Sequence, residues 1–135
     1  MRAVLASAIA LLPWACGPLG SGSSPDVRLS VQPTALPAGD SITLVLSNRS
    51  SGMLGYNLCT SELERRMGAE EWRAVPSDRV CTMELRTLAA GEDARYRLDL
   101  PSGLAPGEYR FLTAVERLEA GERGSVRSDV FRVEG

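Results

Sequence analysis

The chain has 135 residues, 17 of them acidic, and its 15 basic residues are all arginine, with no histidine and a formal net charge of −2; that length suits one domain with a usable core. Without histidine there is no Ser-His-Asp or Cys-His nucleophile, no His-ligated zinc and no side chain that titrates near neutrality unaided. A pI near 5.2 leaves no basic footprint for a phosphate backbone, so no nucleic-acid partner is expected.

Arg2 and the amino terminus precede ten uncharged residues, Ala3 to Leu12, and then Pro13-Trp14-Ala15-Cys16-Gly17, the n-region, h-region and small-residue cleavage zone of an export signal. Ten helical residues cover about 15 Å, half of a hydrocarbon core of about 30 Å, so a transmembrane helix is a poor reading. Leu11-Leu12-Pro13-Trp14-Ala15-Cys16 resembles a bacterial lipobox, in which a small residue directly precedes the cysteine that becomes lipidated. Ala15 and Cys16 match, while Pro13 stands where that motif has an aliphatic residue. The resemblance implies a signal peptide over 1–16 and a lipid on Cys16 that holds the protein at a membrane of the cell envelope. Secretory cleavage after Ala15-Cys16-Gly17 also satisfies small-x-small, with Pro18 at the cut, and would give a free periplasmic or secreted product.

Residues 17–25, Gly-Pro-Leu-Gly-Ser-Gly-Ser-Ser-Pro, have the composition of a flexible tether. Fully extended, they reach about 30 Å, enough to hold a domain over 26–135 clear of a membrane surface.

From Asp26 onward apolar residues recur with period two: Val27, Leu29, Val31; Ile42, Leu44, Leu46; Cys81, Met83, Leu85; Tyr96, Leu98, Leu100; Tyr109, Phe111, Thr113, Val115. This is the signature of strands with one buried face. Strands are expected near 27–32, 41–48, 54–60, 62–67 in a hairpin with 71–75, 80–88, 93–100, 107–116 and 124–133. Adjacent Val130 and Phe131 change the parity of the last strand and predict a bulge or edge exposure there.

Ala38-Gly39-Asp40, Ala90-Gly91-Glu92, Pro106-Gly107-Glu108 and Ala120-Gly121-Glu122 read as turns in which glycine supplies positive φ. Pro33, Pro37, Pro76, Pro101 and Pro106 fall between the runs, as ladder hydrogen bonding requires. Seven to eight strands at spacings of roughly eight to sixteen residues describe an all-β, two-sheet sandwich.

The run Leu36-Pro37-Ala38-Gly39-Asp40-Ser41-Ile42-Thr43-Leu44-Val45-Leu46-Ser47-Asn48, followed by Leu88-Ala89-Ala90-Gly91-Glu92 and Leu104-Ala105-Pro106-Gly107-Glu108-Tyr109-Arg110-Phe111, resembles bacterial immunoglobulin-like envelope domains. The resemblance covers 26–135 and implies an immunoglobulin-like sandwich. Leu104-x-x-Gly107-x-Tyr109 looks like a tyrosine corner, in which the Tyr109 ring fills the core edge and its hydroxyl bonds to upstream backbone. These motifs specify a scaffold and no chemistry.

With Cys16 lipidated or removed, Cys59 and Cys81 remain as an even pair in an oxidising compartment and read as one disulfide. Closing a loop of about 23 residues contributes roughly 3 kcal/mol through the unfolded chain. On its expected strand Cys81 shares a face with Met83 and Leu85, which aims its sulfur into the core. No C-x-x-C or D-x-D-x-D spacing is present, so no metal or other cofactor is expected.

Inside that loop, Arg65, Arg66, Trp72 and Arg73 admit two readings. One is a solvated hairpin whose Trp caps the core. The other is a protein-binding face, because Trp and Arg are enriched at binding hot spots. Two function classes follow. The first is a non-catalytic envelope module, protein-binding or structural, with a membrane and a protein as partners. The second is an extracytoplasmic protease inhibitor, since inhibitors of the BsuPI type resemble this sandwich with its late Pro-Gly-x-Tyr strand. Such an inhibitor needs a rigid exposed loop, and the 59–81 segment is its candidate. Nothing in the sequence recommends an enzyme.

Overall fold

The computed structural model describes residues 26–135, so the signal segment, Cys16 and the 17–25 tether lie outside the described residues. In chain order the strands are β1 (Val27–Gln32), β2 (Ala35–Pro37), β3 (Ser41–Asn48), β4 (Leu54–Tyr56), β5 (Glu62–Arg66), β6 (Trp72–Val75), β7 (Arg86–Leu88), β8 (Asp93–Asp99), β9 (Gly107–Arg117), β10 (Glu122–Arg127) and β11 (Phe131–Glu134). The only helical element among the described residues is a single 3₁₀ turn, Leu58–Thr60, and no helix there is long and apolar enough to cross a membrane. The chain is all-β, with two sheets in a sandwich-like arrangement.

One sheet has the order β1-β3-β8, antiparallel throughout. Its period-two residues Leu29, Ile42, Leu44 and Leu46 are buried. The second sheet is organised by the eleven-residue β9. On one side β9 pairs with β11 and β10, and on the other with β5 and β4. Strand β6 extends the sheet beyond β5, β7 extends it beyond β4, and β2 lies parallel to β11. Between the sheets Phe131 stacks on Phe111 and Tyr109, with ring centroids 5.5 and 6.1 Å away.

Three of the expected turn glycines adopt the left-handed region that a side chain resists, Gly39 at φ 84°, Gly91 at 80° and Gly121 at 64°. The parity change at Val130 is a bulge. Arg127 pairs with Leu112 and Phe131 with Tyr109, so three residues on one strand face two on the other. The Ser128 hydroxyl accepts from the Phe111 N–H at 2.8 Å across that gap, and Val130 is left exposed.

Four expectations are corrected. The described residues hold eleven short strand segments instead of seven or eight, because the hairpin over 62–75 supplies two strands, the bulge divides 124–133 and an unanticipated β2 follows β1. Pro37 ends that strand, which is tolerated because β2 is the outermost strand of its sheet and Pro there removes no ladder bond needed further in. The run 54–60 is extended only to Tyr56 before the 3₁₀ turn begins. Most consequentially, 80–88 is strand only over Arg86–Leu88, and Met83 and Leu85 are exposed. Alternation identifies a possible buried face, but a strand also needs a neighbouring edge, and β4 offers one of only three residues.

Candidate functional site

From β6 the chain runs over residues 76–85 to β7 with neither a hydrogen-bonded turn nor a bend. It crosses the flank of the second sheet where the 3₁₀ turn interrupts β4 and β5. The turn starts at Asn57, whose side-chain oxygen accepts from Cys59 N–H at 3.2 Å. The Nδ2 of the same side chain donates to the Thr82 carbonyl at 2.7 Å, so one residue caps the turn and holds the crossing segment.

A disulfide joins Cys59 of the turn to Cys81 of the segment, with Cα atoms 5.8 Å apart. Two residues upstream, Arg79 turns its guanidinium inward: Nε donates to the Cys59 carbonyl at 2.9 Å and Nη2 to the Ser61 carbonyl at 2.8 Å. Ser61 itself is buried and shares a hydrogen bond with the buried Thr113 hydroxyl on β9. The bridge therefore sits half-buried at the flank, and Cys81 does not project into the core as expected.

These ties leave apolar side chains in solvent. Val80 is 94% and Met83 92% exposed. Leu85 is 57% exposed and its inner edge lies over Gly55 of β4, where an added Cβ would stand 2.9 Å from Leu85 Cδ1. A cleft of about 360 Å³ opens beside Met83 and Leu85, bordered by Gly55, Ala114 and Val115. Another of about 280 Å³ lies between the segment and β8, lined by Tyr56, Arg86, Arg95 and Tyr96. Among the described residues no group of three or more Cys, Asp or Glu is placed to hold a metal ion.

The four residues expected to share one binding face are divided between two. Arg66 pairs with Trp72 and Arg65 with Arg73 across the β5–β6 hairpin, and successive residues on a strand point to opposite sides. Arg65 lies on the face of Leu63 and Tyr109, with Nη2 3.5 Å from the Pro106 carbonyl. Arg66 and Trp72 lie on the outer face, so Trp72 does not cap the core. Its ring is covered instead by Arg110, whose Cζ is 4.0 Å from the centroid, while Arg110 Nε donates to Glu64 at 2.9 Å. Arg66 pairs with Glu108 at 2.9 Å. The cluster is a self-satisfied patch of charges and one aromatic ring.

Tyr109 is buried, and its hydroxyl donates to the Ala105 carbonyl at 2.6 Å. Asn48, fully buried at the end of β3, donates to the carbonyls of Gly52 and Leu88 at 2.9 Å each and accepts from the Ser50 N–H and hydroxyl. Both side chains fix loops at opposite ends of the sandwich. The residues that shape the flank, Asn57, Arg79 and Gly55, were not singled out from sequence. Only Asn57 carries a local signal, as an Asx cap directly before a short turn.

No protein-family model matches this chain, and no curated protein matches it. Among solved structures, the X-ray structure of the Northeast Structural Genomics Consortium target SoR45 is similar with a TM-score of 0.58 at 13% identity, over 83% of this chain and 88% of that one. An alkylpurine DNA glycosylase of Pseudomonas fluorescens gives a TM-score of 0.45 at 18% identity, over 82% of this chain and 31% of that one. A beta-glucosidase of Listeria innocua gives 0.33 at 19% identity, over 84% of this chain and 17% of that one. The first likeness shows a shared fold alone, and the two enzymes contribute no argument about activity.

Proposed function

We propose that this chain is an exported, non-catalytic protein-binding module of immunoglobulin-like type, held at the cell envelope by a lipid on Cys16, and that residues 76–85 form its binding face. The observation that carries the reading is the pairing of restraint with exposure. Val80 and Met83 stand almost wholly in solvent on a segment fixed by a disulfide and three side-chain hydrogen bonds to carbonyls. Isolated exposed apolar residues are ordinary, but fixing them covalently has no benefit to a core they do not enter. Pre-ordering lowers the entropy lost when a partner covers them.

The immunoglobulin-like assignment is supported by the consecutive strands β1 and β2, which lie in opposite sheets, by the strand orders given above and by the Tyr109-to-Ala105 bond. Export is supported by the disulfide, which persists in oxidising compartments. The test places a photo-crosslinking amino acid at Met83 in the exported protein, with Thr43 on the opposite sheet as control. A discrete adduct from Met83 alone is expected. Equal labelling from both positions, or none from either, refutes the binding face.

A further inference from the structure

We infer that the partner docks through an extended acidic segment, which adds as a fourth strand to the β1-β3-β8 sheet along the free edge of β8. The inference rests on the protein-binding reading and gives it a second surface beside residues 76–85. A strand at the edge of a sheet carries a row of unpaired backbone groups that an extended peptide completes. β8 is such an edge, seven residues long and paired with β3 alone, whereas β1 at the other edge of the same sheet makes a bridge to Ser128 through Leu29.

The register fixes which groups face outward. Just beyond the two ends of β8, the Asn48 N–H donates to the Glu92 carbonyl at 3.0 Å and the Leu100 N–H to the Asp40 carbonyl at 2.9 Å. Antiparallel pairs alternate between bonded and non-bonded, so Ala94, Tyr96 and Leu98 bond to β3, and the N–H and C=O of Arg95 and Arg97 point away from it. No other group among the described residues bonds to them. The pairing with β3 runs unbroken from Asp93 to Asp99, with neither a bulge nor a proline to blunt the edge.

Charge decides what this edge accepts. The outer face of β8 reads Asp93, Arg95, Arg97, Asp99. Arg97 donates to the Ser41 hydroxyl, which donates to Asp99, and Arg86 across the neighbouring cleft has Glu84 at 3.7 Å. Arg95 has no ion pair or hydrogen bond among the described residues. A strand with two carboxylates two residues apart places them opposite Arg95 and Arg97, and its intervening side chain falls on the face of Tyr96, toward the cleft that Tyr56 and Tyr96 line. An apolar residue suits that position, because both rings pack against the core.

A second copy of this chain fits the edge less well. Two β8 strands pairing antiparallel over their full length meet about Tyr96, which sets Arg95 opposite Arg97 and Asp93 opposite Asp99. Both are like-charge pairs, which destabilise a ladder, and any shift of register shortens it.

The experiment titrates the purified, exported full chain with the end-capped peptide Lys-Val-Glu-Val-Glu-Val-Lys and with Glu-Val-Lys-Val-Lys-Val-Glu, which has the same composition and reversed charges. The first should bind about 10-fold more tightly. Hydrogen exchange followed by NMR should show new protection at the Arg95 and Arg97 amides, while Tyr96, already bonded to β3, changes little. Arg95→Glu with Arg97→Glu should exchange the preference between the peptides, which a merely structural role for the two arginines would not do. The inference is overturned by equal affinity for the two peptides, by absence of binding at millimolar peptide, by binding without protection at Arg95, or by the same protection in the free chain at concentrations where it dimerises. Thr43 lies two strands from the added segment, about 10 Å, and stays the control for the Met83 crosslink. If that crosslink persists while neither peptide binds, the face at 76–85 stands and strand addition alone falls. Protection at Arg95 without the crosslink supports strand addition and removes only the face at 76–85. Loss of both removes both.

Discussion

Replacing Cys59 and Cys81 together by Ala tests how the flank is held. The two residues are 22 apart in sequence, and closing a loop of about 23 residues removes roughly 3 kcal/mol of entropy from the unfolded chain. Little native packing offsets this, because both cysteines are half-buried and Val80 and Met83 touch solvent. The Arg79 and Asn57 bonds persist in the variant and keep 76–85 close to its native path, so the loss falls on the unfolded side. With a urea slope of about 1.5 kcal/mol/M, the midpoint should fall by about 2 M, followed by far-UV circular dichroism at constant pH. The slope itself should rise, since an uncrosslinked chain exposes more surface on unfolding. A loss below about 1 kcal/mol with an unchanged slope would show that the bridge does not restrain the unfolded chain, and the account of the flank would fail. Separate loss of hydrogen-exchange protection over 54–66 would instead locate a native-state contribution.

Asn48→Ala removes the side-chain partner of the Leu88 carbonyl and of the Ser50 N–H in a buried loop junction, while the Ser50 hydroxyl keeps the Gly52 carbonyl at 3.2 Å, and is expected to cost about 2 kcal/mol by urea unfolding. A cost under 1 kcal/mol would mean that water replaces the side chain. Arg110→Met removes the guanidinium that covers Trp72 and pairs with Glu64, an ion pair in which the Arg110 and Glu64 side chains are 15% and 17% exposed; about 1–2 kcal/mol should be lost. Trp72 emission should shift in the same variant, and an unchanged spectrum would contradict the stacked geometry. Cys16→Ser should abolish incorporation of labelled fatty acid and release the protein from the detergent phase, whereas unlabelled wild type beginning near Pro18 would establish free secretion.

Much of the scaffold is legible in local pattern. Where a strand lies in the middle of a sheet or along its full length, as β1, β3, β8 and β9 do, alternation of apolar and polar residues reports the buried face directly. The bounds 27–32 and 41–48 then coincide with the structure. The turn glycines are equally local, because positive φ is a property of one residue. The Cys59–Cys81 pair follows from counting once Cys16 is assigned to the leader.

What tertiary structure alone decided concerns edges. Cys81, Met83 and Leu85 alternate as well as any core strand, yet no free ladder lies beside them over most of their length, so the same letters become an exposed strap. Ala35–Pro37 lacks any pattern, yet it becomes a strand because β11 leaves an edge within reach. Arg65, Arg66, Trp72 and Arg73 are neighbours in sequence and across a hairpin, but the pleat sends them to opposite sides. Ring and guanidinium then meet through β9, about forty residues further along the chain. Periodicity is a one-dimensional record of how side chains alternate, whereas pairing depends on which backbone edge is unoccupied, and that is settled only when distant segments have packed.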